Sequence, residues 1–143
     1  MFTRLTLLIV LAFGVFALPL RAESLNAIDK ANVTSVIEKQ LKAFAADDGD
    51  AAYSHAAPIV KGVFRSVENF MAMVKQGYAP VYRNKGYEFG ESFTDALGRP
   101  AMRVVLRGLD DKNYEANYFM EKQPDGTWMI AGCVLVVIPG LDV

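Results

Sequence analysis

Cysteine and histidine are almost absent from this chain. Its 143 residues include one cysteine, Cys133, and one histidine, His55. A single cysteine excludes an intramolecular disulfide, and a single histidine excludes a histidine metal cluster. No Ser-His-Asp or Cys-His arrangement is indicated either, so we expect His55 to have a structural or surface role. Cys133 lies within an apolar run and is expected to be a buried small hydrophobe.

An excess of charge of one sign is also lacking. The chain has 15 basic and 16 acidic residues, a formal net charge of −1. Without a basic excess there is no electrostatic footprint for nucleic acid or for an anionic membrane surface. The eleven glycines are dispersed instead of forming a phosphate-binding loop. The acidic stretch Asp47–Asp50 lacks the ligand spacing of a calcium loop. We therefore expect no metal, no cofactor and no nucleic-acid partner.

No apolar run reaches the roughly 20 residues of a comfortable membrane span. The run Leu5–Leu18 follows a single basic residue, Arg4, and precedes Pro19 and the small residue Ala22. A short basic region, an apolar core of this length and a small residue at its end are typical of a secretory signal peptide.

We accordingly expect residues 1–22 to be a signal peptide that is removed before Glu23. An uncleaved N-terminal anchor is the alternative. Residues 23–143 would then form one domain, periplasmic or secreted, with no stable membrane insertion after cleavage. A chain of this length can bury a core without disulfides.

Apolar residues recur every three or four positions in the first part of this domain, which predicts amphipathic helices. In the first helix they are Val33, Val36, Ile37, Leu41 and Phe44. The acidic break Asp47–Asp50 ends that helix, and Asp50 is expected to cap a short helix over Ala51–Ala57.

A third helix is predicted after Ser66, whose side chain can cap it. Its apolar set is Val67, Phe70, Met71, Val74 and Tyr78. Gly77 and Pro80 then favour its end.

Beyond Tyr82 the apolar period changes to two, which is typical of strands with one buried face. The alternating residues are Tyr87, Phe89 and Phe93, then Met102, Val104 and Leu106, then Tyr114, Ala116, Tyr118 and Met120. A fourth strand, Trp128–Val137, is apolar at nearly every position. This order predicts an α+β domain with three N-terminal helices packed on a curved four-stranded antiparallel meander sheet.

The fourth strand is apolar on both parities. One parity has Trp128, Ile130, Val134 and Val136, and the other has Met129, Ala131, Cys133, Leu135 and Val137. Helices can cover only one face of the sheet, and large exposed apolar patches are unusual on monomers. We therefore expect a homodimer that pairs through the outer face of the sheet.

Several blocks of sequence resemble a known family. They are Gln40–Phe44, Asp47-Asp48, Ala51–Tyr53, Ala57-Pro58, Phe70–Val74 and Gly77–Tyr82. With these blocks the chain resembles the domain-of-unknown-function family 4864, which consists of small, mostly exported bacterial proteins. That family in turn resembles a branch of the nuclear-transport-factor-2-like (ketosteroid-isomerase-like, SnoaL-like) superfamily. The resemblance implies a cone-like, cystatin-like fold, in which helices pack into a curved sheet, and a homodimer.

The catalytic parts of ketosteroid isomerase are not found in the sequence. That enzyme needs an aspartate base and an oxyanion hole made by a tyrosine and a neutral carboxylic acid. The segment Ala57–Phe64 contains no carboxylate, and no strand from Arg99 onward places an aspartate on its apolar side. Fold similarity alone does not carry function, so no isomerase role is assigned to any residue.

Glu91 breaks the pattern of the first strand, because it shares parity with Tyr87 and Phe89. An unbroken strand would direct its carboxylate into the hollow between helices and sheet, where an unpaired charge is costly. A bulge at Gly90 would instead rotate it into solvent, and this interpretation is favoured. The alternative is a partly polar ligand pocket lined by Tyr78, Tyr82, Tyr87, Phe89, Glu91, Tyr114 and Tyr118.

Three classes of function remain open. The favoured one is a non-catalytic binding or accessory module, whose hollow takes a small apolar or aromatic ligand. A protein–protein or envelope-interaction module with a filled core is the second. A small-molecule isomerase-like or hydrolase-like enzyme that uses Glu91 and His55 is the third.

Overall fold

The computed structural model describes residues 25–140, so the predicted signal peptide and its cleavage site lie outside the described residues. Helices come first and strands follow. The helices are α1 (Ala27–Ala45), α2 (Gly49–Ser54), α3 (Pro58–Phe64), α4 (Val67–Gly77) and α5 (Ala79–Tyr82). The strands are β1 (Asn84–Thr94), β2 (Pro100–Gly108), β3 (Asn113–Lys122) and β4 (Trp128–Val137). The predicted α+β order is confirmed, with five helical segments in this part of the chain instead of three.

Helix α1 begins earlier than its apolar pattern suggested. Asn26 is the N-cap, and its side-chain oxygen accepts a hydrogen bond from the Asp29 amide at 2.8 Å. The predicted stripe faces the sheet, and its fully buried members are Val33, Ile37, Leu41 and Phe44. Among residues 25–140, no helix is both long and apolar enough to cross a membrane.

The acidic break after α1 is confirmed, but the capping residue was assigned wrongly. Helix α2 begins at Gly49, and Asp48 caps it by accepting a hydrogen bond from the Ala51 amide at 3.0 Å. An N-cap must precede the first helical residue. Asp50 lies inside the first turn and therefore cannot serve as the cap.

Ser66 caps α4 as predicted, through a 3.1 Å hydrogen bond from the Asn69 amide. Phe70, Met71 and Val74 of that helix are buried. Two short helices were not predicted. Both α3 and α5 have a proline in their first turn, where its missing N–H costs nothing.

The sheet is an antiparallel meander in the order β1-β2-β3-β4. The predicted alternation in the two central strands is confirmed. Their buried residues facing the helices are Met102, Val104, Leu106, Ala116, Tyr118 and Met120. The core therefore lies between the inner face of the sheet and helices α1, α2, α4 and α5.

Strand β4 contains a bulge that changes which residues face the helices. Phe119 pairs with Gly132 and Met120 pairs with Ile130, so Ala131 has no partner in the ladder. Such a bulge inserts one residue into the period of two. The inward side chains are consequently Trp128 and Ile130 before the bulge, then Cys133 and Leu135 after it. The sequence predicted that alternate residues share one face along the whole of this strand. That prediction was wrong, because the bulge exchanges the two faces after Ala131.

Candidate functional site

A cavity of about 280 Å³ lies between α3, α4 and the inner face of the sheet. Its lining carries no charged side chain. The lining residues are Gln40, Phe44, Ala56, Ile59, Val60, Val63, Phe64, Phe70, Met73, Val74, Tyr78, Val81, Tyr118, Ile130, Ala131, Gly132 and Cys133. A concave apolar space with a few polar groups is the usual form of a small-molecule site.

Helix α3 covers the cavity without filling it. Its start is held to the sheet, because the Ala57 amide donates to the Ile130 carbonyl at 2.8 Å and the Ile130 amide donates to the His55 carbonyl at 2.8 Å. None of its own residues is buried. Ile59 and Val63 line the cavity yet are 63% and 68% exposed, so the cavity reaches the surface along this helix.

Tyr118 is one of the residues that line the inner wall of the cavity. This residue on β3 is 1% exposed, and its hydroxyl has no hydrogen-bond partner among residues 25–140. A buried hydroxyl without a partner is costly, since it has lost its water and gained nothing in return. Burial raises the pKa of Tyr118 well above its ordinary value, so the phenol remains a hydrogen-bond donor.

The neighbouring polar side chains already have partners. The Tyr78 hydroxyl donates to the Cys133 carbonyl at 2.8 Å and connects the end of α4 to β4. Gln40 is buried on α1, and its Nε2 donates to the Ala52 carbonyl at 3.1 Å. Burial raises the pKa of the Cys133 thiol to about 12 and makes it a poor nucleophile.

Of the predicted pocket residues, Tyr78 and Tyr118 meet at this cavity. Tyr82 and Tyr114 line a separate surface hollow of about 330 Å³ near the start of β1 and the end of β2. Their hydroxyls are engaged by carboxylates, because Tyr82 donates to Asp47 and Tyr114 donates to Asp110 at 2.5 Å.

Tyr87 and Phe89 lie on β1, away from the cavity lining. Their rings pack edge to face with centroids 5.8 Å apart, and both are half-buried against the core. The Tyr87 hydroxyl points towards Glu38 of α1, with an oxygen–oxygen distance of 3.5 Å. Both rings therefore contribute to the core and not to the cavity.

The favoured interpretation of Glu91 is confirmed by the register of β1. Phe89 pairs with Val104 and Ser92 pairs with Met102, so Gly90 and Glu91 form a bulge between them. Glu91 is exposed. The alternative, in which its carboxylate enters a pocket with the tyrosines, was wrong because the inserted residue reverses the direction of the side chain.

Sequence reasoning missed the contribution of α3, which supplies Ile59, Val60, Val63 and Phe64 to the cavity. A signal for this helix does exist in the sequence. Pro58 is a favourable first helical residue, and the four apolar side chains recur at a spacing of four. The segment is only seven residues long, so its periodicity is weak evidence on its own.

Carboxylates and imidazoles are the commonest acid–base groups of enzymes. Neither kind of group lines this cavity. His55 lies beside the cavity without lining it, and burial together with Lys39 and Lys61 lowers the pKa of its imidazole. Within residues 25–140 there is also no cluster of three or more metal-ligating side chains.

The fold and the site thus define a small α+β domain with an uncharged apolar cavity under a short helix. Residues 26–143 match the family described as a domain of unknown function (DUF4864), and the chain belongs to that family. Comparison with curated proteins gave no match, and comparison with solved structures gave none either.

Proposed function

We propose that this protein is a non-catalytic binding module that holds a small apolar molecule in the cavity under α3. The observation that carries the proposal is the cavity itself, about 280 Å³ in volume with no charged side chain in its lining. Buried apolar surface is the main source of affinity for such ligands. The exposed apolar side chains of Ile59 and Val63 provide a route of entry.

The volume of the cavity limits the size of the ligand. An engineered apolar cavity of about 150 Å³ is known to hold benzene, and natural ligand pockets span roughly 300–1,000 Å³. The cavity of about 280 Å³ lies between these cases. A compact molecule of one or two rings, or a short branched chain, would fit it.

This proposal is preferred over the two alternatives on specific grounds. A module that acts through its surface alone would have no need of a cavity beneath α3. A small-molecule isomerase or hydrolase most often uses a carboxylate or a histidine as its acid or base, and the lining contains neither.

Binding can be tested with the uncharged dye N-phenyl-1-naphthylamine, whose fluorescence rises in apolar surroundings. We expect a saturable signal with one site per chain. Val60→Phe places a ring in the cavity and should weaken dye binding at least tenfold. Val105→Phe is the matched control, because this half-buried valine lies on β2, outside the cavity lining, and should bind the dye normally. Absence of a saturable signal, or equal weakening in both variants, would contradict the proposal.

We further propose that the protein is exported, with cleavage before Glu23. The support is the order of Arg4, the apolar run Leu5–Leu18 and Ala22. Mass spectrometry of protein recovered from its native host should find Glu23 as the first residue. An intact Met1 would contradict this proposal.

Membership of the nuclear-transport-factor-2-like superfamily, with its cone-like fold, is also proposed. Its support is the order of helices followed by a four-stranded antiparallel meander, with a hollow on the helical side. An experimental structure that superposes on members of the superfamily over all four strands would support it. A flat sheet with a different strand order would overturn it.

A further inference from the structure

We infer that the ligand of this cavity is uncharged and carries a hydrogen-bond acceptor that binds the Tyr118 hydroxyl. The inference rests on the proposed binding function and names the chemical class of the ligand. Its basis is a coincidence of two features in one place, an apolar cavity and a deeply buried donor that has no partner within the described chain.

Tyr118 is suited to this role because the other hydroxyl and the amide of the cavity lining each already donate a hydrogen bond within the protein. The Tyr78 hydroxyl donates to the Cys133 carbonyl, and the Gln40 amide donates to the Ala52 carbonyl. The Tyr118 hydroxyl has lost its solvent and has no such acceptor in residues 25–140. A ligand oxygen placed beside it would recover a hydrogen bond that folding leaves unmade.

The charge of the ligand follows from the lining. A carboxylate or an ammonium group needs an opposite charge or several hydrogen bonds when it leaves water. No lysine, arginine, histidine, aspartate or glutamate lines the cavity. Lys61 of α3 lies over the ring of Tyr53, 5.4 Å from its centre, and is not part of the lining. An ester, ketone, ether or neutral alcohol therefore satisfies the site, whereas an anionic head group does not.

The remaining surface of the ligand must be apolar. Apart from the two tyrosine hydroxyls and the Gln40 amide, the side chains of the lining are aliphatic or aromatic, together with Met73 and Cys133. A second polar group on the ligand would lose its water without gaining a partner among these apolar side chains, which costs binding free energy. The expected ligand is thus a small apolar molecule with one neutral oxygen function.

Three probes of similar shape test the inference by isothermal titration calorimetry. They are methyl benzoate with a neutral acceptor, propylbenzene with none, and benzoate with a negative charge. We expect the wild-type protein to bind methyl benzoate about three- to tenfold more tightly than propylbenzene, as one net hydrogen bond implies. Benzoate should bind at least tenfold more weakly than the ester.

Tyr118→Phe should abolish the preference for the ester over propylbenzene. This variant removes a hydroxyl that bonds to nothing in the described chain, so we expect it to fold, and a thermal melt checks this. Tyr87→Phe is the matched control, because it also removes one tyrosine hydroxyl but lies outside the cavity lining. It should keep the full preference for the ester.

The outcomes separate this inference from the function on which it rests. Equal binding of ester and hydrocarbon, or an ester preference that survives in Tyr118→Phe, would overturn the inference and leave the binding module standing. Tight binding of benzoate would overturn the exclusion of charged ligands. Failure of the dye and of both neutral probes to bind would overturn the proposed function and this inference with it.

Discussion

Two tyrosines that line the same cavity show that the contribution of a hydroxyl to stability depends on its surroundings. The Tyr78 hydroxyl donates to a backbone carbonyl, whereas the Tyr118 hydroxyl is more deeply buried and has no partner in the described chain. The first should stabilise the fold, and the second should cost stability unless a ligand is bound.

Removing each hydroxyl in turn should therefore have opposite effects. We expect Tyr78→Phe to lower the free energy of unfolding by about 1 kcal/mol, because the bond to the Cys133 carbonyl is lost. Tyr118→Phe should leave it unchanged or raise it by up to about 1 kcal/mol. Urea denaturation without ligand measures both. A clear loss of stability in Tyr118→Phe would show that its hydroxyl has a partner in solution.

Because burial raises the pKa of the Cys133 thiol, we expect the stability of the protein to fall at alkaline pH. Its pKa is about 12 in the folded protein, raised by burial, against about 8.5 in an unfolded chain. Below pH 8.5 both states hold the proton, so the full contribution to stability is present. Above that pH the unfolded thiol ionises while the folded one does not, and the free energy of unfolding falls as pH rises towards 12.

Urea denaturation between pH 8 and 10 should accordingly show a fall of at most about 1.4 kcal/mol per pH unit from this group. Cys133→Ser removes the ionisable group, so its stability should change less over this range, even if it is lower throughout. Parallel curves for the two proteins would contradict the assignment. The comparison ends at pH 10 because Tyr118, whose pKa is also raised by burial, contributes above that value.

At the scale of elements, the short helices determine the site. Helix α3 covers the cavity with residues that are not themselves buried, and only its start is bonded to the sheet. Helix α2 precedes it and sets its position through the bridge between Ala56 and Ile130. The stability of α2 therefore bears directly on how firmly the cover is held.

The cap of α2 can be tested with two neighbouring aspartates. Asp48→Ala removes the side-chain acceptor of the Ala51 amide and should destabilise the protein by about 1 kcal/mol. Asp50→Ala is the control within the same turn and should change stability by no more than about 0.5 kcal/mol. Thermal or urea unfolding distinguishes them. If both variants lose the same free energy of unfolding, the negative charge near the start of α2 stabilises the helix more than the capping hydrogen bond does.

At the scale of the whole molecule, the outer face of the sheet is mixed in character. Val134 and Val136 are 50% and 46% exposed on β4. Beside them, Arg103 and Glu115 form an ion pair with a nitrogen–oxygen distance of 3.7 Å. Pairing with a second copy of the chain would cover the apolar area of these valines.

We propose that this outer face pairs two copies of the chain about a two-fold axis. Light scattering at micromolar concentration should then report twice the mass of the chain. Val134→Glu places a charge in the interface and should give the monomer mass. Ile28→Glu changes an exposed residue of α1 and should remain dimeric. A monomeric wild-type protein would overturn the proposal.

Local periodicity alone determined much of this fold. The apolar stripe of α1, the Ser66 cap and the inward sets of β2 and β3 were all predicted correctly. Each depends on residues a few positions apart, whose geometry is imposed by the helix or strand that contains them. The sequence likewise indicated the order of helices before strands.

Only the tertiary structure decided where the site lies. The bulges at Gly90–Glu91 and at Ala131 depend on pairing with neighbouring strands, and each reverses the side chains that follow it. The first turned Glu91 outwards, and the second turned Cys133 and Leu135 inwards. Tyr118 could be assigned to the inner face from its parity, but its lack of a partner depends on every element packed around it. Burial and hydrogen-bond satisfaction are properties of the assembled fold, and no local pattern contains them.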